Sequence, residues 1–500
     1  MPPAFHRLLA ALLVLVASAS LARAGDYDRW YTIDLGDKRA GWMHNSQVTQ
    51  GELITTRNVI HFQLGRAEAA VSVGIEGEFV ETAREGKPIS MKSVLKMGNM
   101  PSTMVAIYGD KDIAVTLTQA GNTTQKTQPL PEGKWLTPAA ATEFVRQRLA
   151  AKAATIEVRT IEPGGGLDAI AALVPATITH RDCRPEKLQV MGKTVEAVRC
   201  ITTSTTQAGI ESTEYLDELG LPIRSETSFG GLRMVATAAT REEAKADRPG
   251  PELMISTFVK PDRPIKNPRQ ARKAAFSVKV SDGKLPAFPE TGAQKYAEVD
   301  AKSGRLTVNI QDPQPAPPAD ATDAAFQAPS ATINSDDTLI RKLTADALEK
   351  SGPEPDHRAE ALRRFVHTFV NTKDLGVGFA AASEVARTRQ GDCTEHAVLL
   401  AALLRSAGIP SRVACGLVYA DQFAGAKDIF GYHMWAQALL TRNGKPTWVD
   451  LDATLGPETP FDATHIALAV SALADGQTQD ALLAIASILG RLQIKVESIE

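Results

Sequence analysis

The sequence predicts an α+β protein in two parts, a strand-rich N-terminal domain followed by a C-terminal domain of helices and strands. Three observations carry this reading. Short strand-like runs separated by turn residues fill the chain from about residue 31 to 240. A stretch rich in Pro, Ala and Asp over 311–331 then interrupts the chain. Beyond it, helical periodicity leads into alternating strands joined by a strong hairpin signal.

In the first part, residues 54–62 and 102–108 read as strands, bounded by Gly51 and Gly65 and by Pro101 and Gly109-Asp110. One helical run interrupts them over 139–152, where Phe144, Leu149 and the alanines recur at helical spacing. Nothing in this domain, assigned to 25–245, resembles a catalytic constellation. Pro249, Pro251, Pro261, Pro264 and Pro268 mark a connecting segment. A small strand-rich stretch over 275–310 follows, with a hairpin-like turn at Ser303-Gly304 near its end. Pro313, Pro315, Pro317 and Pro318 make 311–331 a semi-extended linker, so 246–331 is expected to connect two domains. The C-terminal domain is expected over 332–500. Ser335-Asp336-Asp337 opens a helix through Leu339, Leu343 and Leu348, and a second helix covers about 358–370; both read as scaffold. The tail from His465 is expected to add a helix over 482–489 and a last strand over 492–496 to this domain.

Composition sets outer limits. The 500 residues exceed one ordinary core, 43% are hydrophobic and 23% charged, as in soluble globular protein. A net charge of −3 offers no basic field for nucleic acid or an anionic membrane. His6 and Arg7, an apolar run over 8–17 and Ala22-Arg23-Ala24 read as a secretory signal peptide over 1–24, cleaved after Ala24. The apolar run is short for a bilayer, which needs roughly 20 residues. No later segment is apolar enough for a membrane helix, so the mature chain is expected to be periplasmic or secreted. Of the four cysteines, Cys183 and Cys200 flank two strand-like runs around Met191-Gly192-Lys193. They read equally as a bridge or as two buried thiols.

Chemistry concentrates after Gln390. Asp392 and Glu395 form a capping-box pattern that places Cys393 in the first turn of a helix. Residues 397–404 are apolar on every face, so that helix is buried; Arg405, Gly408 and Pro410 end it. A thiol at a helix N-terminus is favoured as thiolate, although Asp392 opposes this and a cationic partner is needed. A strand over 412–420 carries Val413, Cys415, Leu417 and Tyr419 on one face, which makes Cys415 a core residue. A strand over 432–440 places His433, Trp435 and Gln437 on one face. After the Asn443-Gly444 hairpin signal, the return strand over 447–453 places Trp448, Asp450 and Asp452 on a common face. Pairing centred on Asn443-Gly444 sets His433 opposite Thr454, making Asp452 the diagonal neighbour of the histidine and Asp450 one pair more distant. The result is a Cys, His, Asp constellation of the kind that activates a thiol.

The runs Gly391-Asp392-Cys393-Thr394-Glu395-His396-Ala397, Leu404 through Arg412, His433-Met434-Trp435 and Asp452-Ala453-Thr454 resemble the transglutaminase-like superfamily in order, type and spacing. The resemblance implies a papain-like fold over about 336–454, with Cys393 as nucleophile, His433 as base and acid and Asp452 as orienting carboxylate. Ala453 stands where the family usually has proline. On this reading the protein is a thiol-dependent hydrolase or acyltransferase acting on a peptide or protein amide through a thioester, without metal or cofactor. The alternative is an inactive extracytoplasmic binding or assembly protein that keeps the fold as a scaffold. His396 reads as packing rather than as the base. A zinc site from Cys393, His433 and Asp452 lacks the usual close ligand pairs, and Asp450 with Asp452 is a poor calcium site. Trp435 and Trp448 read as core.

Overall fold

The computed structural model describes residues 26–500 apart from 67–68, 98–99, 120–121, 164–172, 208–209, 230–231, 249, 253, 282, 375–379 and 475–487. The expected signal segment and most of the helix expected over 482–489 lie outside the described residues. Among the described residues, 252–500 form one compact unit, and 26–65 with 70–251 form another.

The N-terminal unit is built on a fourteen-stranded sheet of successive antiparallel hairpins. Its first strand, Tyr27–Leu35, pairs with Lys38–Gln50 on one side and with Leu232–Ala239 on the other. The expected strands are present as Leu53–Arg66 and Met100–Tyr108, and the expected helix as Pro138–Ala150. That helix buries Ala139, Ala141 and Val145 against Ile54, Val158, Ile178 and Cys200. Cys183 and Cys200 are joined in a disulfide across the hairpin of Leu173–Val190 and Lys193–Ser204. The bridge sits where the hairpin's register slips between Arg181 and Arg184.

The C-terminal unit holds two four-stranded sheets. The first has the order Gln294–Asp300, Ser303–Asn309, Lys273–Val280, Leu492–Ile499. Two expectations need correction here. The hairpin turn lies at residues 301–302, and Gly304 is inside a strand opposite Val278 and Glu298. A Cβ at Gly304 would meet the Tyr296 ring at 2.4 Å, so this glycine serves ring packing rather than a turn. The last strand is real, but it pairs with Lys273–Val280 rather than with the sheet that carries His433. Composition likewise predicts an extended linker over 311–331, whereas the segment packs within the unit. Asp320 accepts the Trp448 indole N–H at 2.7 Å, and the Phe326 ring meets Trp448 edge-on at 5.0 Å. A buried indole needs an acceptor, and this segment supplies it.

The second sheet has the order Lys445–Leu451, Ala426–Arg442, Ser411–Phe423, His465–Ser471. Helix Cys393–Ser406 packs between this sheet and the helices Thr338–Leu348, Pro355–Phe369 and Ala382–Thr388. Its leucines 399, 400, 403 and 404 are all fully buried. Each such side chain contributes about 1.5–3 kcal/mol of transfer free energy, against about 1 kcal/mol for a typical N-cap. Burial therefore holds the helix, and the cap fixes where it begins. The strand His465–Ser471 is absent from the sequence reading, as is the short helix Ala382–Thr388.

Among the four cysteines, Cys393 and Cys415 are unpaired. Intact-mass analysis of denatured, unreduced protein treated with iodoacetamide is expected to show two adducts, rising to four after reduction. Four adducts without reduction would contradict the Cys183–Cys200 bridge.

Candidate active site

Cys393 is the first residue of its helix. The preceding Asp392 accepts the Thr394 backbone N–H at 2.8 Å, and Glu395 Oε2 accepts the Asp392 N–H at 2.9 Å, the expected capping box. Gly391 precedes them at φ +147°, where a Cβ would overlap the Glu395 side chain at 2.3 Å. The half-buried thiol lies at the positive end of the helix, close enough to His433 to feel its ring. Burial and the Asp392 carboxylate push the Cys393 thiol up, but the neighbouring His433 ring and its charge outweigh them. The net result lies below the ordinary thiol value.

His433 lies on strand Ala426–Arg442, opposite Gly416 of the central strand. The hairpin register runs from Arg442↔Lys445 to Ala436↔Leu451, as pairing about Asn443-Gly444 requires. Asp452, just past the strand end, places Oδ2 at 2.8 Å from His433 Nε2. Nε2 being taken, Nδ1 is the ring nitrogen left to the thiol. Burial lowers the proton affinity of His433, but the Asp452 charge, its hydrogen bond and the neighbouring Cys393 raise it to about 10. Asp452 is 1% exposed. Burial would raise its carboxyl, yet the His433 charge and the bonds to His433 and His465 hold it well below the usual carboxylate range. Asp450 turns to other partners, accepting from Trp435 Nε1 at 2.7 Å and Gln437 Nε2 at 2.5 Å.

The remaining singled-out residues are placed as follows. His396 Nδ1 lies 2.5 Å from the Asp392 carbonyl and Nε2 lies 2.7 Å from Lys373 Nζ, so its ring is tied to structure. Burial and the Lys373 charge bring it down to about 4. Burial pushes the Cys415 thiol up to about 12. Trp435 and Trp448 are buried. Ligand atoms of His433, Asp452 and His465 lie within 4.8 Å of one another. They are spent on one another, however, and the 2.8 Å separation of Asp452 and His433 is shorter than two ligands of a tetrahedral zinc ion adopt.

Sequence reading missed five contributors. His465 Nε2 lies 3.3 Å from Asp452 Oδ2, and Asp462 faces the other side of its ring. Arg269 forms an ion pair with Asp462, and the Gln294 amide pairs both ways with the Ala467 backbone at 2.8 and 2.9 Å. Arg363, from the helix Pro355–Phe369, donates to the carbonyls of Asp452, Leu455 and Gly456 at 3.0–3.4 Å and to Pro457 at 2.8 Å. One signal was available: Asp-Ala-Thr occurs twice, at 452–454 and 462–464.

A helix-borne thiol beside an imidazole that is hydrogen-bonded to a buried carboxylate defines a candidate cysteine-dependent site. Residues 341–453 match the sequence model of the transglutaminase-like superfamily, so this part of the chain is a transglutaminase-like domain. No curated protein matches the chain. Among solved structures, a candidate cysteine protease from Cytophaga hutchinsonii is similar at 17% identity and TM-score 0.29, covering 46% of this chain and 91% of that one. A β-barrel-like protein of a domain of unknown function from Brucella abortus aligns at 14% identity and TM-score 0.33, covering 43% and 96%. The periplasmic domain of TgpA from Pseudomonas aeruginosa, bound to ethylmercury, aligns at 14% and TM-score 0.25, covering 39% and 88%.

The two aspartates are separable by substitution. Asp452→Asn is expected to move the pH midpoint of Cys393 labelling up toward an ordinary thiol, slowing labelling at neutral pH roughly tenfold or more. Asp450→Asn is expected to leave the midpoint in place and to lower the melting temperature. Equal midpoints in both variants would contradict the assignment.

Proposed function

We propose that the C-terminal unit is a thiol-dependent amide or peptide hydrolase or acyltransferase with a papain-like arrangement of helix against sheet. Cys393 is its nucleophile, His433 its base and acid, and Asp452 the carboxylate that orients the imidazole. The observation that carries this reading is the 2.8 Å hydrogen bond from His433 to the buried Asp452, with the helix-borne Cys393 thiol lowered by the same His433 ring.

The thiolate attacks the amide carbonyl carbon, and the imidazolium gives its proton to the departing amine nitrogen as the C–N bond breaks. A thioester on Cys393 remains. His433, now neutral, takes a proton from water, and the resulting attack releases the acid and restores the thiolate beside the imidazolium; an attacking amine gives transfer instead. The Cys393 backbone N–H at the helix start is the simplest donor to the oxyanion. Neither half-reaction needs a metal or organic cofactor. The substrate is a peptide or protein amide, and hydrolysis is the favoured outcome because water is abundant.

A periplasmic or secreted location fits the Cys183–Cys200 disulfide, a bond kept in oxidising compartments, and the signal-like first 24 residues. Among the described residues no helix is long and apolar enough to cross a membrane.

Iodoacetamide labelling of Cys393 against pH, located by mass spectrometry, tests the reading. A depressed thiol stays reactive below the free value of about 8.5, and its reactivity is lost as pH falls through the lowered value. Wild type is expected to behave so, and His433→Ala to restore the ordinary profile. An ordinary profile in both would leave the fold as a scaffold without this chemistry.

A further inference from the structure

His465 is wholly buried, and both of its ring nitrogens face acceptors. Nε2 lies 3.3 Å from Asp452 Oδ2; Nδ1 lies 3.1 Å from the Asp462 backbone oxygen and 3.5 Å from Asp462 Oδ1. A carbonyl oxygen has no proton to give. The two carboxylates are themselves held ionised, Asp452 by His433 and Asp462 by Arg269. Each ring nitrogen must therefore carry its own hydrogen, which makes the ring an imidazolium. A buried cation persists only when paired and hydrogen-bonded, and two carboxylates satisfy that condition here.

The repeated Asp-Ala-Thr tripeptide builds both sides of this arrangement. Asp452 Oδ1 accepts the Thr454 N–H at 2.8 Å and hydroxyl at 2.7 Å. Asp462 Oδ1 accepts the Thr464 N–H at 2.8 Å and hydroxyl at 2.5 Å. Each turn fixes one carboxylate oxygen locally and leaves Oδ2 to cationic partners: His433 and His465 for Asp452, Arg269 for Asp462. Two copies of one turn thus place alternating charges in the order Arg269, Asp462, His465, Asp452, His433, Cys393.

We propose that His465 is a positioning residue, a fixed buried imidazolium that keeps Asp452 ionised and offsets the negative charge which His433 feels. This rests on the reading of Cys393, His433 and Asp452 as the reacting set. The ring centroids of His433 and His465 are 5.8 Å apart, so the two cations repel through the carboxylate they share. His433 is thereby kept willing to release its proton to a leaving group. Burial works against the charge on His465, but the Asp462 charge and the bonds to Asp452 and Asp462 outweigh it. The other charged groups that bear on this line are Asp450, which feels both His465 and Arg412, and Lys373 and His396, which feel Asp452. The rings against His465, from Phe461 at 4.1 Å and Trp435 at 5.3 Å, are neutral.

Removing a nearby positive charge raises the proton affinity of both His433 and Cys393. In His465→Gln both inflections of the Cys393 labelling profile are therefore expected to move to higher pH, with labelling at pH 7 slowed roughly tenfold. A purely structural role would lower the melting temperature without moving the inflections. A wild-type midpoint below that of an ordinary thiol but unchanged in His465→Gln would overturn this proposal and leave the active-site reading standing. An ordinary wild-type midpoint would take down both. Should the variant fail to fold, nitrogen-15 NMR of histidine-labelled wild type decides. Protons on both ring nitrogens of His465 at neutral pH are expected, and a single protonated nitrogen would refute the imidazolium.

Discussion

The ionised carboxylate of Asp452, shut away from water, is the feature around which the C-terminal unit is arranged. Burying such a charge costs several kcal/mol unless each of its lone pairs is met. The Thr454 N–H and hydroxyl take Oδ1, and the rings of His433 and His465 take Oδ2. The chain on either side is held as well. Arg363 gathers the carbonyls of Asp452, Leu455, Gly456 and Pro457, and His367 lies 3.1 Å from the Ala453 carbonyl. The turn that presents the carboxylate is thus anchored from the helix Pro355–Phe369.

The same constraint accounts for the central strand. Gly416 stands between His433 on one neighbouring strand and Ala467 on the other. A Cβ there would meet the Ile466 carbonyl at 2.0 Å, so only glycine lets the His465 strand close against the sheet. Arg269 and Gln294 then secure that strand and its approach from a segment that composition alone presents as a connector. The reactive end of the Cys393 helix owes its position to burial of the leucines behind it.

Much of this was legible in the residues. The capping box around Cys393, the apolar helix behind it and the Asn443-Gly444 register are local signals, and local signals survive into the fold. They were enough to prefer Asp452 over Asp450, because a two-residue hairpin fixes register without tertiary information. His465 was not legible for the opposite reason. It reaches Asp452 through pairing of Ser411–Phe423 with His465–Ser471, a contact between strands far apart in sequence whose register slips at Cys415/Gly416. The segment over 311–331 misled because proline and alanine describe an extended chain equally well in solvent or packed against Trp448. Ser303-Gly304 misled because a glycine kept for a ring stacked above it looks the same as one kept for a turn.

The central claim is that Cys393 rests as a thiolate beside an imidazolium. Ultraviolet thiolate absorbance of the folded protein, titrated with pH and compared with Cys393→Ser, measures this without any substrate. The account predicts a thiolate signal at neutral pH in the wild type that is absent from the variant, since burial pushes the Cys415 thiol up to about 12. Identical spectra for the two proteins at neutral pH would contradict it.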